Sequence, residues 1–129
     1  MILDTSAAAA IFLGEPEQAR FTQLIHDAER CRVSAATFVE LSIILERRAG
    51  AHAMDTCERF FRQAGIEIEP LTADHAHLAR QAYHDFGEGR HPAGLNLGDC
   101  FAYALSKATG EPLLFKGDDF RKTDVIAAD

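Results

Sequence analysis

Short apolar segments of strand length alternate in this chain with longer stretches whose apolar residues recur at helical spacing. Four of the short segments have the composition of buried strands, and a fifth candidate lies near the end of the chain: residues 2–3, 31–33, 66–68, 113–115 and 125–126. Strands that alternate with helices pair in parallel, because each helix returns the chain to the starting edge of the sheet. The pattern therefore predicts a three-layer α/β/α fold with a central, mainly parallel sheet of four or five strands.

The helical stretches are bounded by residues that favour helix ends. Apolar positions spaced as on one helix face predict five of them: after Pro16, before Gly50, before Gly65, from Thr72 to Gly87, and from Asn96 to Gly110. An earlier helix is expected to begin at Ala7, with either Asp4 or Ser6 as its N-cap. The glycine-rich segment 87–94 lacks the residue order of a phosphate-binding or dinucleotide-binding loop, so we interpret it as a surface connection.

Composition narrows the class of protein. The length of 129 residues predicts one domain spanning residues 1–129. Thirteen basic and twenty acidic residues give a net charge of −7, which argues against a general nucleic-acid coat protein but allows an enzyme that meets phosphates through metal ions. The three cysteines have no metal-finger spacing and are interpreted as reduced thiols. With no signal peptide or membrane-spanning run visible, we expect a cytoplasmic protein.

Acidic residues follow the predicted strands where a ligand site is expected. Asp4 follows the first strand, Glu40 lies in the helix after the second, and Asp118 and Asp119 follow the fourth. Asp99 is the third residue of a helix capped by Asn96, an arrangement also explained by stabilisation of the helix dipole. In open parallel sheets, ligands bind beyond the carboxyl ends of the strands, so these side chains are expected to converge.

Each acid taken alone also has a structural interpretation as a helix cap, a turn residue or a solvated charge. A cluster of them is tolerated mainly when a divalent cation neutralises its charge. Ligation by oxygen alone, without a cysteine or histidine pattern, favours Mg²⁺, with Mn²⁺ as a second possibility.

Four segments together resemble the successive motifs of PIN-domain ribonucleases, and most closely the VapC-type toxins of bacterial toxin–antitoxin pairs. They are ILDTSA at 2–7, VSAATFVEL at 33–41, LGDCFAYAL at 97–105 and LFKGDDF at 114–120. The resemblance implies an endoribonuclease that uses Mg²⁺, held by a quartet of acids with a supporting serine: Asp4, Glu40, Asp99, Asp118 and Ser6. It also implies a VapB-type antitoxin, an RNA substrate, and a homodimer or a toxin–antitoxin hetero-oligomer.

The last motif departs from the family pattern. Much of the family has Thr or Ser near this turn, where this chain has Phe115 and Lys116. Asp119 stands beside Asp118 and could take its place as the fourth acid.

Basic residues near the predicted site are candidate phosphate contacts. The candidates are Arg90, Lys116, Arg121 and Lys122, and solvated surface charge is an equally good interpretation of each. Among the six histidines only His91 lies in the glycine-rich loop, and we interpret it as a surface residue.

Two other functions remain open from the residues alone. A phosphatase or phosphotransfer domain with an aspartyl nucleophile would place DxDxT after the first strand, but this chain lacks the second aspartate. A non-catalytic module could present an acidic patch to a basic partner, although charge alone would not require acids from four separate segments.

Overall fold

Four short parallel strands form the centre of the molecule. The computed structural model describes all 129 residues. The strands are β1 (Ile2–Leu3), β2 (Arg32–Ser34), β3 (Glu67–Glu69) and β4 (Leu113–Leu114), and they lie side by side in the order β3-β2-β1-β4. In the ladder, Leu3 of β1 pairs with Leu114 of β4. The first strand is thus central, and the last strand forms one edge.

Six helices connect and cover the strands. They are α1 (Thr5–Phe12), α2 (Gln18–Asp27), α3 (Ala35–Ala49), α4 (Ala53–Ala64), α5 (Ala73–Phe86) and α6 (Leu97–Thr109), and a short 3₁₀ turn follows β4 at Phe120–Lys122. None of these helices is both long and apolar enough to cross a lipid bilayer.

Alternation along the strands divides the buried residues between two cores. Leu3 and Leu114 pack with α1–α4 in one cluster, while their neighbours Ile2 and Leu113 pack with α5 and α6 in the other. Successive strand residues point to opposite faces of a sheet, so each face is covered by its own helical layer. The predicted three-layer α/β/α fold is confirmed.

The fifth candidate strand, at 125–126, does not form a strand. Only one isolated bridge forms there, between Leu113 and Ala127. The Leu113 amide donates to the Ile126 carbonyl at 2.8 Å, and the Ala128 amide donates to the Leu113 carbonyl at 2.9 Å. Contact with β4 is confined to this one residue, so the sheet has four strands.

Predicted element boundaries also differ from the structure by one or two residues. The third strand begins at Glu67, because the amide of Ile66 donates to the Phe61 carbonyl at 2.9 Å and closes α4. The first helix begins at Thr5 instead of Ala7, because Asp4 is its N-cap.

An ion-pair network ties the strands together away from the acidic residues of the predicted site. Arg32 of β2 contacts both Glu69 of β3 and Glu111, which lies just before β4. Arg30 contacts Glu67 at 2.8 Å, but its side chain is 51% exposed whereas that of Arg32 is 13% exposed. Arg32 therefore joins three chain segments from a largely buried position.

Candidate active site

Asp4 lies buried at the carboxyl end of the central strand. It is 2% exposed and accepts hydrogen bonds from the Ser6 amide at 2.9 Å and the Ser6 hydroxyl at 2.5 Å. Both bonds reach Oδ2, and Oδ1 is buried without a hydrogen-bond partner. Such an orphaned carboxylate oxygen is costly unless a ligand or cation satisfies it.

Burial gives Asp4 an unusual protonation equilibrium. Desolvation by burial is the largest of the causes that raise the pKa of Asp4 to about 7; the charges of Asp99 and Glu40 also raise it, and the hydrogen bonds from Ser6 lower it. Those two charges act on Asp4 because the three acids lie within electrostatic reach of one another. The structure thus brings Asp4, Glu40 and Asp99 together from three elements.

Glu40 reaches the first turn of α6 from the second turn of α3. The Thr5 hydroxyl donates to Glu40 Oε1 at 2.5 Å. On the other side, a Cβ built on Gly98 would overlap Glu40 Oε2. The carboxylate therefore occupies the space that any larger residue at position 98 would fill.

Asp99 has a structural role as well as a place in the cluster. Its amide donates to the Asn96 side chain at 2.9 Å, and its Oδ2 accepts from the Asn96 amide at 3.0 Å. This capping box starts α6 and fixes the Asp99 carboxylate. Burial raises the pKa of Asp99, with further contributions from the charges of Glu40, Asp119 and Glu88.

The turn after β4 carries the remaining acids on the surface. Asp118 and Asp119 are both exposed. The charge of Asp119 is one cause of the raised pKa of Asp99, so Asp119 lies within electrostatic reach of the cluster. The turn is joined to the residues after β1 because the Lys116 amide donates to the Ser6 hydroxyl at 3.0 Å. Ser6 thus links Asp4 to the fourth motif.

The predicted phosphate contacts have different surroundings. Lys116 pairs with Glu15 and Glu17, and its ammonium group is thereby held by acids outside the predicted quartet. The Arg121 guanidinium contacts Asp129 at 3.1 Å and lies over the Phe115 ring. These two cations are therefore already partnered within the chain.

The glycine-rich loop holds Arg90, a further candidate phosphate contact, and His91. Arg90 is exposed and makes no ion pair. The His91 ring is half-buried, packs edge-on against Phe86, and accepts from the Ala93 amide at 3.1 Å. These contacts give His91 a structural role within its own loop.

Three residues near the acids were not predicted from the sequence. Thr5 could have been noticed as a hydroxyl directly after Asp4. Gly98 also carried a signal, because a glycine inside a helix often marks a close approach. Glu88 lies in an irregular loop and had no comparable signal.

The carboxylate oxygens of the site are of the kind that Mg²⁺ prefers, but they do not form a complete coordination site. No group of three His, Cys, Asp or Glu side chains is arranged to hold a metal ion. Mg²⁺ keeps several waters and is bound in many enzymes through one or two carboxylates with substrate phosphates. The orphaned Oδ1 of Asp4, close to two further carboxylates, fits that kind of partial coordination.

Comparison with known proteins places the whole chain in one family. The PIN domain model matches residues 1–126. Ribonuclease VapC42 of Mycobacterium tuberculosis is 45% identical over 129 residues, which cover 99% of this chain and 98% of the relative.

Solved structures of low identity share the fold. VapC20 of M. tuberculosis, a toxin that cleaves the sarcin–ricin loop, has a TM-score of 0.79 at 19% identity and covers 97% of this chain and 95% of its own. A toxin–antitoxin complex from Klebsiella pneumoniae has a TM-score of 0.72 at 15% identity, over 98% and 94% of the two chains. From the family match and the close relative, this chain belongs to the PIN-domain family and, within it, to the VapC ribonucleases.

Proposed function

We propose that this protein is a Mg²⁺-dependent endoribonuclease and the toxin of a toxin–antitoxin pair. Its cluster of carboxylates would hydrolyse RNA phosphodiester bonds, with Mn²⁺ as an alternative cation. The observation that carries this proposal is the buried Oδ1 of Asp4, which has no hydrogen-bond partner. The negative charges of Glu40 and Asp99 also act on the Asp4 carboxylate. A purely structural carboxylate would be expected to satisfy both of its oxygens.

Residues of this chain would position the reacting groups. Asp4, Glu40 and Asp99 would hold the cation, with Asp118 or Asp119 as the fourth acid. When bound, Mg²⁺ activates water and offsets negative charge on a phosphate. Ser6 holds Asp4 through two hydrogen bonds, and Thr5 holds Glu40 through one. These contacts fix the carboxylates and limit their reorganisation during the reaction.

A VapB-type antitoxin is the proposed partner. The fold is shared with a chain from a toxin–antitoxin complex. A site with excess negative charge also attracts Arg or Lys side chains from a partner peptide. Co-expression with a candidate VapB-type antitoxin of the same organism should yield a stable complex without cleavage activity. Recovery of the toxin alone, with full activity in the presence of every such candidate, would contradict this assignment.

The nuclease activity is tested with purified protein and structured RNA, with and without Mg²⁺ or Mn²⁺. We expect cleavage only with metal, and Asp99→Asn should remove nearly all of it because the amide carries no charge to hold the cation. A single-turnover rate within about tenfold of the parent, or about 1.4 kcal/mol in the barrier, would exclude Asp99 as a ligand. Parallel Asp118→Asn and Asp119→Asn variants identify the fourth acid by the larger loss.

Metal binding can be measured separately from cleavage by thermal unfolding. If Kd is about 1 mM, then about 10 mM Mg²⁺ should stabilise the parent by about 1.4 kcal/mol. The Asp4→Asn and Asp99→Asn variants should respond less. Equal stabilisation of all three proteins would contradict the proposed ligands. Absence of cleavage, together with binding of a basic peptide at the acids, would favour the non-catalytic interaction module.

A further inference from the structure

A groove between α5 and α6 extends from the glycine-rich loop to the first turn of α6. Its polar end is a pocket of about 340 Å³ that contains Arg80, His84 and Arg90. Its apolar end, of about 500 Å³, contains Leu97, Cys100 and Phe101, and the two ends share Arg80 and Tyr83. Asp99 stands in the same first turn of α6 as Leu97 and Cys100, so this turn belongs to both the groove and the acidic cluster.

The two arginines of the polar end have no partner within the chain. Neither Arg80 nor Arg90 makes an ion pair, whereas Arg30, Arg32 and Arg121 do. In a protein with a net charge of −7, an unpaired pair of guanidinium groups in one pocket favours an anionic ligand. Guanidinium groups bind phosphates through paired hydrogen bonds.

The aromatic side chain at the junction suits a nucleobase. Tyr83 is 42% exposed, and its ring forms part of both ends of the groove. Exposed aromatic rings beside arginines form stacking surfaces for unpaired bases. Leu97, which is 73% exposed, adds apolar surface where the groove meets the first turn of α6.

From this arrangement we propose that the groove binds single-stranded RNA next to the scissile phosphate, with Arg80 and Arg90 on phosphates and Tyr83 against a base. The assignment rests on the proposed nuclease function, which places the reacting phosphate at Asp99. An acidic protein segment would be drawn to the same arginines, but RNA is the ligand that would also place a phosphate at Asp99, which shares the first turn of α6 with the groove.

The first test measures binding of a short mixed-sequence, single-stranded RNA by the uncleaving Asp99→Asn protein over a range of NaCl concentrations. For single strands, the slope of log affinity against log salt falls by about 0.7 for each phosphate that the protein no longer neutralises. Adding Arg80→Gln and Arg90→Gln together should therefore reduce the slope by about 1.4. Arg59→Gln is the matched control, because Arg59 is also exposed and unpaired but lies on α4, across the sheet.

The second test separates stacking from charge. Tyr83→Leu should weaken RNA binding roughly tenfold at fixed salt without changing the slope, and Tyr83→Phe should retain affinity because it keeps the ring. In the cleavage-competent protein, the arginine variants should raise KM while kcat stays near the parent value.

Three results decide the assignment. A double arginine variant with the slope of Arg59→Gln would overturn it. The assignment would also be overturned if the double arginine variant bound RNA as the parent does but showed altered dimerisation in ultracentrifugation. The groove would then be an interface between copies of the chain. RNA binding that needs both arginines, in a parent that cleaves no RNA with any metal, would keep the groove assignment and overturn only the nuclease function.

Discussion

At the scale of single residues, Gly98 decides where the Glu40 carboxylate can lie. Gly98→Ala would place a methyl group on the present position of Glu40 Oε2. The obstacle is the end of a flexible side chain, so we expect Glu40 to move and α6 to stay intact. Alanine also favours a helix over glycine by about 1 kcal/mol. Cleavage should fall at least tenfold while the melting temperature is unchanged or higher.

Gly87→Ala is the matched comparison. A Cβ there would overlap the Tyr83 carbonyl oxygen, which is backbone and cannot rotate away. We expect this variant to lose about 1–3 kcal/mol of unfolding free energy, as overpacked sites do. Equal losses of stability in both variants would mean that Gly98 serves the helix and not the position of Glu40.

Asp4 should make stability fall with rising pH when no metal is present. Its folded-state pKa of about 7 lies above the unfolded value near 3.8, so the folded protein binds the proton more tightly. This contribution is complete below about pH 4 and is lost as pH rises to 7; its full size is about 4 kcal/mol. Asp4→Asn, which keeps an N-cap side chain, should lose much less stability over that range.

Urea unfolding of parent and Asp4→Asn in EDTA, between pH 4.5 and 8, measures this difference. We expect the two stability curves to diverge with pH, with the variant the more stable at pH 8. Parallel curves would mean that Asp4 is ionised in the folded protein throughout this range.

Sequence patterns predicted the place of the acids better than their contacts. The positions of Asp4, Glu40 and Asp99 could be predicted because each comes directly after a strand or lies in the first two turns of a helix. The ends of those strands and helices have local sequence signals. The contact between Glu40 and Gly98 joins α3 to α6, and periodicity within one helix carries no information about such a crossing. The role of Lys116 was open for the same reason, since its partners Glu15 and Glu17 come from a distant loop.

At the scale of elements, the start of α6 serves both stability and the site. Asn96→Ala removes the acceptor for the Asp99 amide and should cost about 1 kcal/mol of unfolding free energy. We also expect slower cleavage, because Asp99 is then held by one bond to residue 96 instead of two. Thr72→Ala is the control: Thr72 caps α5 by accepting from the His75 amide at 3.1 Å. It should cost similar stability and leave cleavage unchanged.

The elements themselves were largely predictable, and their ends were not. Apolar spacing identifies a helix because its buried face repeats every turn, whatever it packs against. The start of β3 depends instead on where the Ile66 amide donates its hydrogen bond, which in the structure is the Phe61 carbonyl at the end of α4. The burial of Ile66 gives no indication of that partner. The segment at 125–126 has strand composition, but its contact with β4 is confined to Leu113, which bonds the Ile126 carbonyl and the Ala128 amide.

At the scale of the whole molecule, Arg32 should matter more than Arg30. Arg32→Met would remove the largely buried cation that Glu69 and Glu111 share, leaving them only Arg30 and the N-terminal ammonium, and we expect a loss of about 2–4 kcal/mol. Arg30→Met removes the more exposed contacts with Glu67 and Glu69 and should cost no more than about 1 kcal/mol. Chemical unfolding of the two variants compares them directly. Equal losses would show that burial of Arg32 does not govern the strength of its ion pairs.

The central position of β1 has a consequence for protein synthesis. Ser6 bonds the Lys116 amide, and Leu3 pairs with Leu114, so residues made first find partners about 110 positions later. Contacts of such separation form slowly and cannot exist while the later segment is still inside the ribosome. The Asp4 carboxylate therefore cannot reach its final surroundings until the segment from Leu114 to Lys116 has left the ribosome.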